Sequence, residues 1–178
     1  MRTLTLLRHA KSAWDDPVER DFDRPLNGKG RRAAARIGRY MAEQGLMFDK
    51  VIASPALRVI QTIEGIEDGF GKPLPADHDK RIYMASAATL LDVVRGTDDG
   101  CERLLMVGHN PGLEDLVLLL VPESAGGARD EVEMKYPTAT IAELSFAGSW
   151  ADLDERMAAL TRFVRPRDLD PALGPDAA

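Results

Sequence analysis

A short apolar run near the start of the chain, Thr3 to Leu7, leads directly into Arg8 and His9. Five residues rich in leucine and β-branched threonine predict a buried central strand, which carries the two polar side chains at its carboxyl end. Open α/β sheets bind their ligands at that edge. The run therefore predicts an α/β fold with a polar site just after the first strand.

Strands and helices alternate along the rest of the chain, with turn residues at each junction. Asn27 is typical of a helix N-cap, and Ser54-Pro55 and Ser86 are typical of helix starts. The predicted helices cover residues 28–44, 54–69, 86–96 and 113–121, and the predicted strands cover 3–7, 50–53, 103–107 and 138–146. This alternation predicts a three-layer α/β/α sandwich over a mostly parallel sheet.

The remaining segments have no clear period. We expect loops at 71–79 and 122–135, and the next segment fits either a helix that begins at Asp152 or a strand at 159–164. Residues 166–178 contain three prolines and few apolar side chains. They predict an extended tail after a single domain that spans residues 1–165.

Composition limits the partners. The net charge is −6 and the pI is near 5.1, whereas binding to nucleic acid or to an anionic membrane calls for a basic excess. No apolar stretch reaches the about 18 residues of a membrane span. Cys101 is the single cysteine, so an internal disulfide is impossible. We expect a cytoplasmic protein with neither a nucleic-acid nor a membrane partner, whose anion site is a local cluster of arginines and histidines.

A second histidine follows another predicted strand. The apolar run from Arg103 to Val107 leads through one glycine into His109. Neighbouring parallel strands have their carboxyl ends at one edge of the sheet, so His9 and His109 are expected to meet there. Arg58, at the start of the second predicted helix, belongs to the same edge.

Four segments together resemble the histidine phosphatase superfamily. They are RHA at 8–10, in the place of the family's R-H-G, RPLNGKGRRAA at 24–34, SPALRVIQT at 54–62 and VGHNPG at 107–112. By pattern the chain is most similar to the small SixA-like phosphohistidine phosphatases. The resemblance implies a phosphoglycerate-mutase-like fold, with one antiparallel strand in an essentially parallel sheet. It also implies that His9 is the nucleophile, that Arg8 and Arg58 clamp the phosphate, and that His109 donates a hydrogen bond to it.

These residue types suit phosphoryl transfer. The planar fork of arginine donates two hydrogen bonds to phosphate oxygens, and a neutral imidazole has a lone pair for attack on phosphorus. Nearby guanidinium groups also disfavour protonation of His9. The hydroxyl of Ser12 and the backbone amide of Asn110 are further candidates for binding the substrate. Arginines repel a metal cation, so we expect no metal and no other cofactor.

Three positions depart from the family pattern. Lys11 and Met84 stand where phosphoglycerate-mutase-like members have glutamates, one of which is their general acid. Asp15, a further candidate for substrate binding, stands where an asparagine is expected, which disfavours a mutase-type sugar-phosphate pocket. An alkoxide leaving group needs strong acid assistance, whereas the imidazole of phosphohistidine leaves more easily. Acidic residues of the following loop are candidate replacement acids, although a solvated loop explains each of them better: Asp15, Asp16, Glu19, Asp21 and Asp23.

These observations lead to one main hypothesis and two alternatives. The main hypothesis is a metal-independent cytoplasmic phosphatase that acts on phosphohistidine in a protein such as a phosphotransfer domain. One alternative is a phosphatase for small phosphorylated metabolites, which an acidic side chain over the phosphate would favour. The other is a module that binds phosphate-bearing ligands without turnover, although no nucleophile or clamp position has been lost.

Overall fold

The first predicted strand lies in the interior of a six-stranded sheet. In this computed structural model, which describes residues 1–14 and 20–175, the strands are β1 (Arg2–Arg8), β2 (Lys50–Ala53), β3 (Ala76–His78), β4 (Arg103–Gly108), β5 (Ile141–Phe146) and β6 (Ala159–Val164). Their order across the sheet is β3-β2-β4-β1-β5-β6. β5 pairs antiparallel with β1 and β6, whereas the other neighbours pair in parallel. The sheet is thus mostly parallel with one reversed strand, as the resemblance implies.

The side chains of β1 alternate between two separate apolar clusters. Leu4 and Leu6 pack on one face of the sheet, and Leu7 packs on the other. All three are fully buried. A strand covered on both faces has no polar side, which explains why β1 is a continuous apolar run rather than an alternating one.

Helices cover both faces of the sheet. They are α1 (Gly28–Glu43), α2 (Leu57–Phe70), α3 (Ala87–Arg95), α4 (Gly112–Leu120) and α5 (Gly127–Met134). α1 and α2 contribute to one apolar cluster, and α3, α4 and α5 contribute to the other. The three-layer α/β/α sandwich is therefore confirmed. Within the described residues, every helix is too short or too polar to cross a membrane.

α1 makes two close backbone contacts through glycines. A Cβ on Gly38 would lie 2.2 Å from the carbonyl oxygen of Ile66 in α2. A Cβ on Gly30 would lie 2.1 Å from the carbonyl oxygen of Lys11, in the loop after β1. That carbonyl also accepts a hydrogen bond from the backbone N–H of Asn27, the N-cap of α1. The start of α1 is thus held against the loop that follows His9.

Three segments differ from the sequence prediction or complete it. The predicted loop at 71–79 contains the edge strand β3, which is too short for a period to show. The predicted loop at 122–135 contains α5, which buries only Arg129 and Val132 and therefore has little apolar signal. The ambiguous region after residue 152 forms the strand β6.

The segment after residue 165 differs from the extended tail that was predicted. It forms the one-turn helix α6 (Pro166–Leu169) and a further turn, and Leu169 and Leu173 pack against the apolar cluster beside α1. Lys29 of α1 donates a hydrogen bond to the carbonyl oxygen of Gly174. Two leucines are enough for docking because the surface that receives them is already formed by the domain.

Candidate active site

The parallel pairing of β1 with β4 brings the two histidines together. Arg8 and Gly108 are register partners at the ends of these strands, so His9 and His109 are the first residues beyond them. Their ring centroids lie 5.3 Å apart, and both side chains are buried. The structure therefore joins, at the carboxyl edge of the sheet, two residues that are far apart in the sequence.

Arg58, the second residue of α2, contacts both histidines. Its Nε lies 3.4 Å from Nε2 of His9, and its Nη2 lies 3.3 Å from Nδ1 of His109. The start of α2 is fixed by Thr62, whose hydroxyl donates to the carbonyl of Arg58 and accepts from the backbone N–H of Ala10. This link joins α2 to the loop after β1 and holds the buried guanidinium against the ring of His9.

The hydrogen bonds of His9 determine where its proton lies. Nδ1 is 2.7 Å from the carbonyl oxygen of Ala10, which can only accept, so Nδ1 carries the proton. Nε2 then keeps its lone pair. The contact from Arg58 to Nε2, at 3.4 Å, is long for a hydrogen bond and engages that lone pair weakly. Nε2 is thus the nitrogen able to attack an electrophile.

Burial and positive neighbours keep both histidines neutral. Burial lowers the pKa of His9 to about 3; the hydrogen bond to Ala10 opposes this, and the proximity of His109 and the two arginines Arg58 and Arg8 adds to it. Burial, followed by the charge of Arg58, lowers the pKa of His109 to about 4. Both imidazoles are therefore uncharged at neutral pH, as nucleophilic attack by His9 requires.

Ser54 holds His109 in place, although the sequence suggests only a helix cap at this position. Arg58 can only donate, so Nδ1 of His109 accepts and Nε2 carries the proton. Nε2 donates to the hydroxyl oxygen of Ser54 at 2.8 Å, and that oxygen also accepts from the N–H of Ala56 at 3.2 Å. α2 begins at Leu57 without a side-chain cap. The cap prediction is wrong, and Ser54 instead orients His109.

Arg8 is anchored at one end only. Its Nη1 donates to the carbonyl oxygen of Tyr136 at 2.8 Å, while its buried Nε has no partner among the described residues. The same carbonyl accepts from Nδ2 of Asn110 at 2.9 Å, and Oδ1 of Asn110 accepts from the N–H of Glu114. Burial lowers the pKa of Arg8, but a guanidinium stays charged at neutral pH. Arg8 keeps donor capacity for an anion, whereas the side chain of Asn110 links the carbonyl of Tyr136 to the first turn of α4.

These side chains line a cleft of about 660 Å³ at the carboxyl edge of the sheet. Its described walls also include Pro166, Leu173 and Gly174 of the C-terminal segment. Its described basic side chains are Arg8, Lys11, Arg24, Lys29, Arg58, Lys135, Arg165 and Arg167, and its one described carboxylate is that of Asp21. In a chain of net charge −6, positive charge is thus concentrated here. The described residues contain no group of three histidine, cysteine or acidic side chains that could hold a metal ion.

Asp21 is an acidic residue that reaches this cleft. Its Oδ1 accepts from Nη2 of Arg24 at 2.7 Å, and its Oδ2 accepts from Nη2 of Arg58 at 2.9 Å and from the hydroxyl of Tyr83 at 2.7 Å. Partial burial would raise its pKa, but the hydrogen bonds from Tyr83 and the two arginines outweigh this and hold the pKa far below its ordinary value. The interpretation as a solvated loop residue is wrong for Asp21, which is ionised and unable to donate a proton at neutral pH.

The other predicted residues lie in different places. Ser12 lines the cleft, and its buried hydroxyl accepts a hydrogen bond from Nη1 of Arg24. Met84 also lines the cleft, with its Sδ 3.7 Å from Nη2 of Arg58. A thioether therefore stands beside the clamp, where the family resemblance leads one to look for a carboxyl group. Three predicted acids lie outside the described residues: Asp15, Asp16 and Glu19.

The sequence did not indicate a role in the site for four residues: Ser54, Arg24, Tyr83 and Tyr136. Ser54 and Arg24 fall within the motif segments, so their position there was an available signal. Tyr83 and Tyr136 carry no such signal. Tyr83 acts through its hydroxyl and Tyr136 through its backbone carbonyl, and only the folded chain brings them to the site.

Known proteins that resemble this chain match it over most of its length. The family model of the histidine phosphatase superfamily (branch 1) matches residues 4–83. An uncharacterized protein of Mycobacterium tuberculosis is 36% identical over 163 residues, which cover 90% of this chain and 100% of that protein. The solved structure of a protein assigned as the phosphohistidine phosphatase SixA from Nakamurella multipartitia superimposes with a TM-score of 0.78 at 30% identity, over 93% of this chain and 96% of that one. One with the same assignment from Agrobacterium tumefaciens gives 0.77 at 29% identity, over 93% and 98%.

Proposed function

Because this chain belongs to the histidine phosphatase superfamily, and to its SixA-like branch, we propose that it removes the phosphoryl group from phosphohistidine on a signalling or phosphotransfer protein. Membership of this family supports phosphatase activity in general. The proposed reaction takes place in the cytoplasm. It needs no metal ion, because arginines neutralise the phosphoryl oxygens.

Nε2 of His9 is the proposed nucleophile. Its lone pair attacks phosphorus, a P–N bond to His9 forms, and the P–N bond of the substrate breaks as its imidazole leaves with a proton from water. Arg8 and Arg58 neutralise the oxygens of the phosphoryl group during transfer. Water then attacks the phosphorus on His9, which releases inorganic phosphate and regenerates the free imidazole.

His109 is the proposed hydrogen-bond donor to a phosphoryl oxygen. Its Nδ1 accepts from Arg58 and its Nε2 donates to Ser54. A phosphoryl oxygen that takes over the Arg58 donor leaves Nδ1 able to carry the proton. The hydroxyl of Ser54 can then donate to Nε2, because a hydroxyl is both a donor and an acceptor. Ser54 thus supports either tautomer of His109.

The observation that carries the choice of a P–N bond concerns the proton for the leaving group. Met84 offers a thioether beside Arg58, and the carboxylate of Asp21 is ionised. An alkoxide leaving group needs a positioned acid, whereas an imidazole leaves readily and takes its proton from solvent. Among the described residues around His9, no carboxyl group is protonated at neutral pH. The site therefore favours phosphohistidine over an alkyl phosphate ester as its substrate.

A phosphatase for small phosphorylated metabolites is the second candidate. An acidic side chain of the loop after His9 lies beside the phosphate clamp, as that alternative requires, because Asp21 contacts Arg58. Its low pKa speaks against a role as proton donor. The non-catalytic alternative is disfavoured because Nε2 of His9 keeps a lone pair beside a donor-rich clamp.

The test is turnover of three substrates in parallel: phosphoramidate, a phosphorylated histidine protein and an alkyl ester, glycerol phosphate, whose alkoxide leaving group needs acid assistance. We expect the two P–N substrates to be hydrolysed faster than the ester, and His9→Ala to lose about a thousandfold of that rate. Arg39→Gln, which removes an exposed charge of α1 outside the described lining of the cleft, is the control and keeps the activity. Faster ester hydrolysis would support the metabolite phosphatase instead. Binding of phosphate without any turnover would exclude the enzyme.

A further inference from the structure

We propose a second anion subsite next to the phosphoryl clamp, formed by Arg24, which lines the cleft, and by the hydroxyl of Tyr83, which donates to the same carboxylate of Asp21. It takes a second anionic group of the substrate and is filled by the carboxylate of Asp21 in the structure described above. This inference rests on the proposed function, because it concerns what else the same cleft recognises in a phosphorylated substrate.

Arg24 is built into the cleft as a fixed donor. Its side chain is 8% exposed, and its guanidinium carbon lies 3.6 Å from the ring centroid of Trp14. Nη1 donates to Ser12 and Nη2 donates to Asp21, while the buried Nε has no partner among the described residues. A buried guanidinium with an unmet donor is costly unless an anion compensates it. The stacking on Trp14 fixes the plane of the fork toward that anion.

The carboxylate of Asp21 shows that the position holds an anion. One oxygen is bound by Arg24, and the other is bound by Arg58 and the hydroxyl of Tyr83. Two guanidinium groups and a phenol around one carboxylate form the arrangement that proteins use to bind carboxylate or phosphate ligands. The side chain of Asp21 is 45% exposed, so it can rotate toward solvent when a stronger anion arrives.

The two anion positions are adjacent because they share Arg58. Nη2 of this residue lies 2.9 Å from Oδ2 of Asp21 and 3.3 Å from Nδ1 of His109. A ligand that fills both positions must therefore carry its second anionic group close to the phosphoryl group. A diphosphate has this spacing, and so does a phosphohistidine with a neighbouring carboxylate. The shared chemistry is a pair of neighbouring anionic groups.

The charge of the cleft agrees with two anions rather than one. A single phosphoryl group is served by Arg8 and Arg58 together with the two histidines. Further basic side chains line the described walls, including Lys135 and Arg167. Such an excess raises the local concentration of a ligand with several negative charges and increases its affinity.

The first measurement compares two non-hydrolysable probes, inorganic phosphate and methylenediphosphonate, by isothermal titration calorimetry. We expect the wild type to bind the diphosphonate about tenfold more tightly than phosphate, because its second phosphonate group gains hydrogen bonds from Arg24 and Tyr83. Arg24→Gln should abolish this preference. Arg39→Gln, which removes an exposed charge of α1 outside the described lining of the cleft, is the matched control and should keep it. Equal affinity of the wild type for both probes would overturn the proposal.

The second measurement concerns Asp21. If its carboxylate occupies the subsite, Asp21→Asn should tighten diphosphonate binding by about tenfold. Asp23→Asn removes the same charge two residues away, where the carboxylate pairs with Arg20, and it should change the affinity much less. If Asp21 instead only positions Arg58, Asp21→Asn would weaken binding, and the proposal would be wrong.

A third arm separates the two sources of the second anion. We compare the affinity for a phosphohistidine peptide with a neighbouring aspartate with the affinity for the same peptide carrying asparagine. We also compare the affinity for a small diphosphate ester with the affinity for its monophosphate. A preference within the peptide pair that is lost in Arg24→Gln assigns the second anion to a protein substrate, and one within the ester pair assigns it to a metabolite. The absence of both preferences would contradict the subsite. Calorimetry measures binding without turnover. A protein that prefers the diphosphonate to phosphate but hydrolyses no substrate would support the second subsite and contradict only the proposed function.

Discussion

Single residues make His9 a usable nucleophile by controlling its protons. The carbonyl of Ala10 fixes one proton on Nδ1, and burial together with nearby guanidinium groups keeps a second proton off Nε2. Arg58 contacts this lone pair weakly, because its Nη1 and Nη2 donate to the carbonyl oxygen and the carboxylate of Asp21. The result is a neutral imidazole with a free lone pair in a positively charged cleft, as the proposed attack on a phosphoryl group requires.

The first prediction at this scale is that His9 and His109 stay neutral in mildly acidic solution. An ordinary histidine is half-protonated near pH 6.5, but burial lowers the pKa of these two to about 3 and about 4. Their ring C–H chemical shifts, followed by NMR, should therefore show no titration between pH 8 and pH 5. A midpoint near pH 6.5 for either ring would contradict the predicted environment.

A second prediction at this scale concerns the missing acid. Met84→Glu places a carboxyl group beside the clamp, and the negative charge of a phosphate bound against Arg58 lets that carboxyl keep its proton. The variant should therefore raise hydrolysis of an alkyl phosphate relative to phosphoramidate by about tenfold or more, since an alkoxide gains from acid assistance. Met84→Gln has a similar shape but no acid and serves as the control. Equal rates for the two variants would show that the leaving-group proton does not limit ester hydrolysis.

Motifs identified the residues that act through charged or imidazole side chains, but not those that support them. Arg8, His9, Arg58 and His109 were expected together, and the structure brings them together. Tyr136 could not be found in this way, because its contribution is a backbone carbonyl that any residue possesses.

Secondary-structure elements position the site through backbone contacts. The parallel register of β1 and β4 aligns their last residues, Arg8 and Gly108. α1 approaches α2 and the loop after His9 at Gly38 and Gly30, where no side chain intervenes. The loop and α2 are thereby held where they carry His9 and Arg58.

The prediction at this scale is that Gly38→Ala destabilises the protein. Alanine is the better helix former by about 1 kcal/mol, but its Cβ would lie 2.2 Å from the carbonyl oxygen of Ile66, and we expect a net loss of about 2 kcal/mol in the free energy of unfolding. Chemical denaturation measures this loss. Gly100→Ala, whose Cβ would lie 3.6 Å from Oδ2 of Asp98, is the control and should change stability little. A stabilised Gly38→Ala variant would contradict the close helix contact.

The long periodic elements could be predicted from the sequence, whereas the short ones could not. α1 and β4 have strong apolar patterns and were expected at nearly their observed bounds. β3 and α6 are only 3 and 4 residues long, so their pairing and docking depend on the surface that receives them. The C-terminal segment shows this most clearly, since Leu173 packs against the apolar cluster to which α1 contributes.

The whole molecule combines an acidic surface with a basic cleft. Its net charge of −6 disfavours general binding to nucleic acid, while the described cleft contains one carboxylate, that of Asp21, among many basic groups. The two buried histidines lie at the carboxyl edge of the sheet, in the wall of this cleft. Protonation of these groups therefore couples the site to the stability of the whole chain.

The prediction at this scale is a loss of stability in acid. The unfolded chain binds protons at His9 and His109 below pH 6.5, whereas the folded protein does so only near pH 3 and pH 4. Stability should therefore fall as the pH decreases from about 6.5 to about 4, by up to about 1.4 kcal/mol per pH unit for each histidine. His9→Gln removes one of these groups and should have a shallower slope in denaturation experiments. An unchanged slope would contradict a buried neutral His9.

The most direct test of the central claim is to trap the phosphorylated enzyme. The protein is mixed with excess phosphoramidate, quenched in alkali within milliseconds, and analysed by mass spectrometry for the site of phosphorylation. We predict phosphate on His9 that is stable to alkali and labile to acid, present in the wild type and absent from His9→Ala. Turnover of phosphoramidate by wild type and His9→Ala at similar rates, or phosphate found on another residue, would contradict the account.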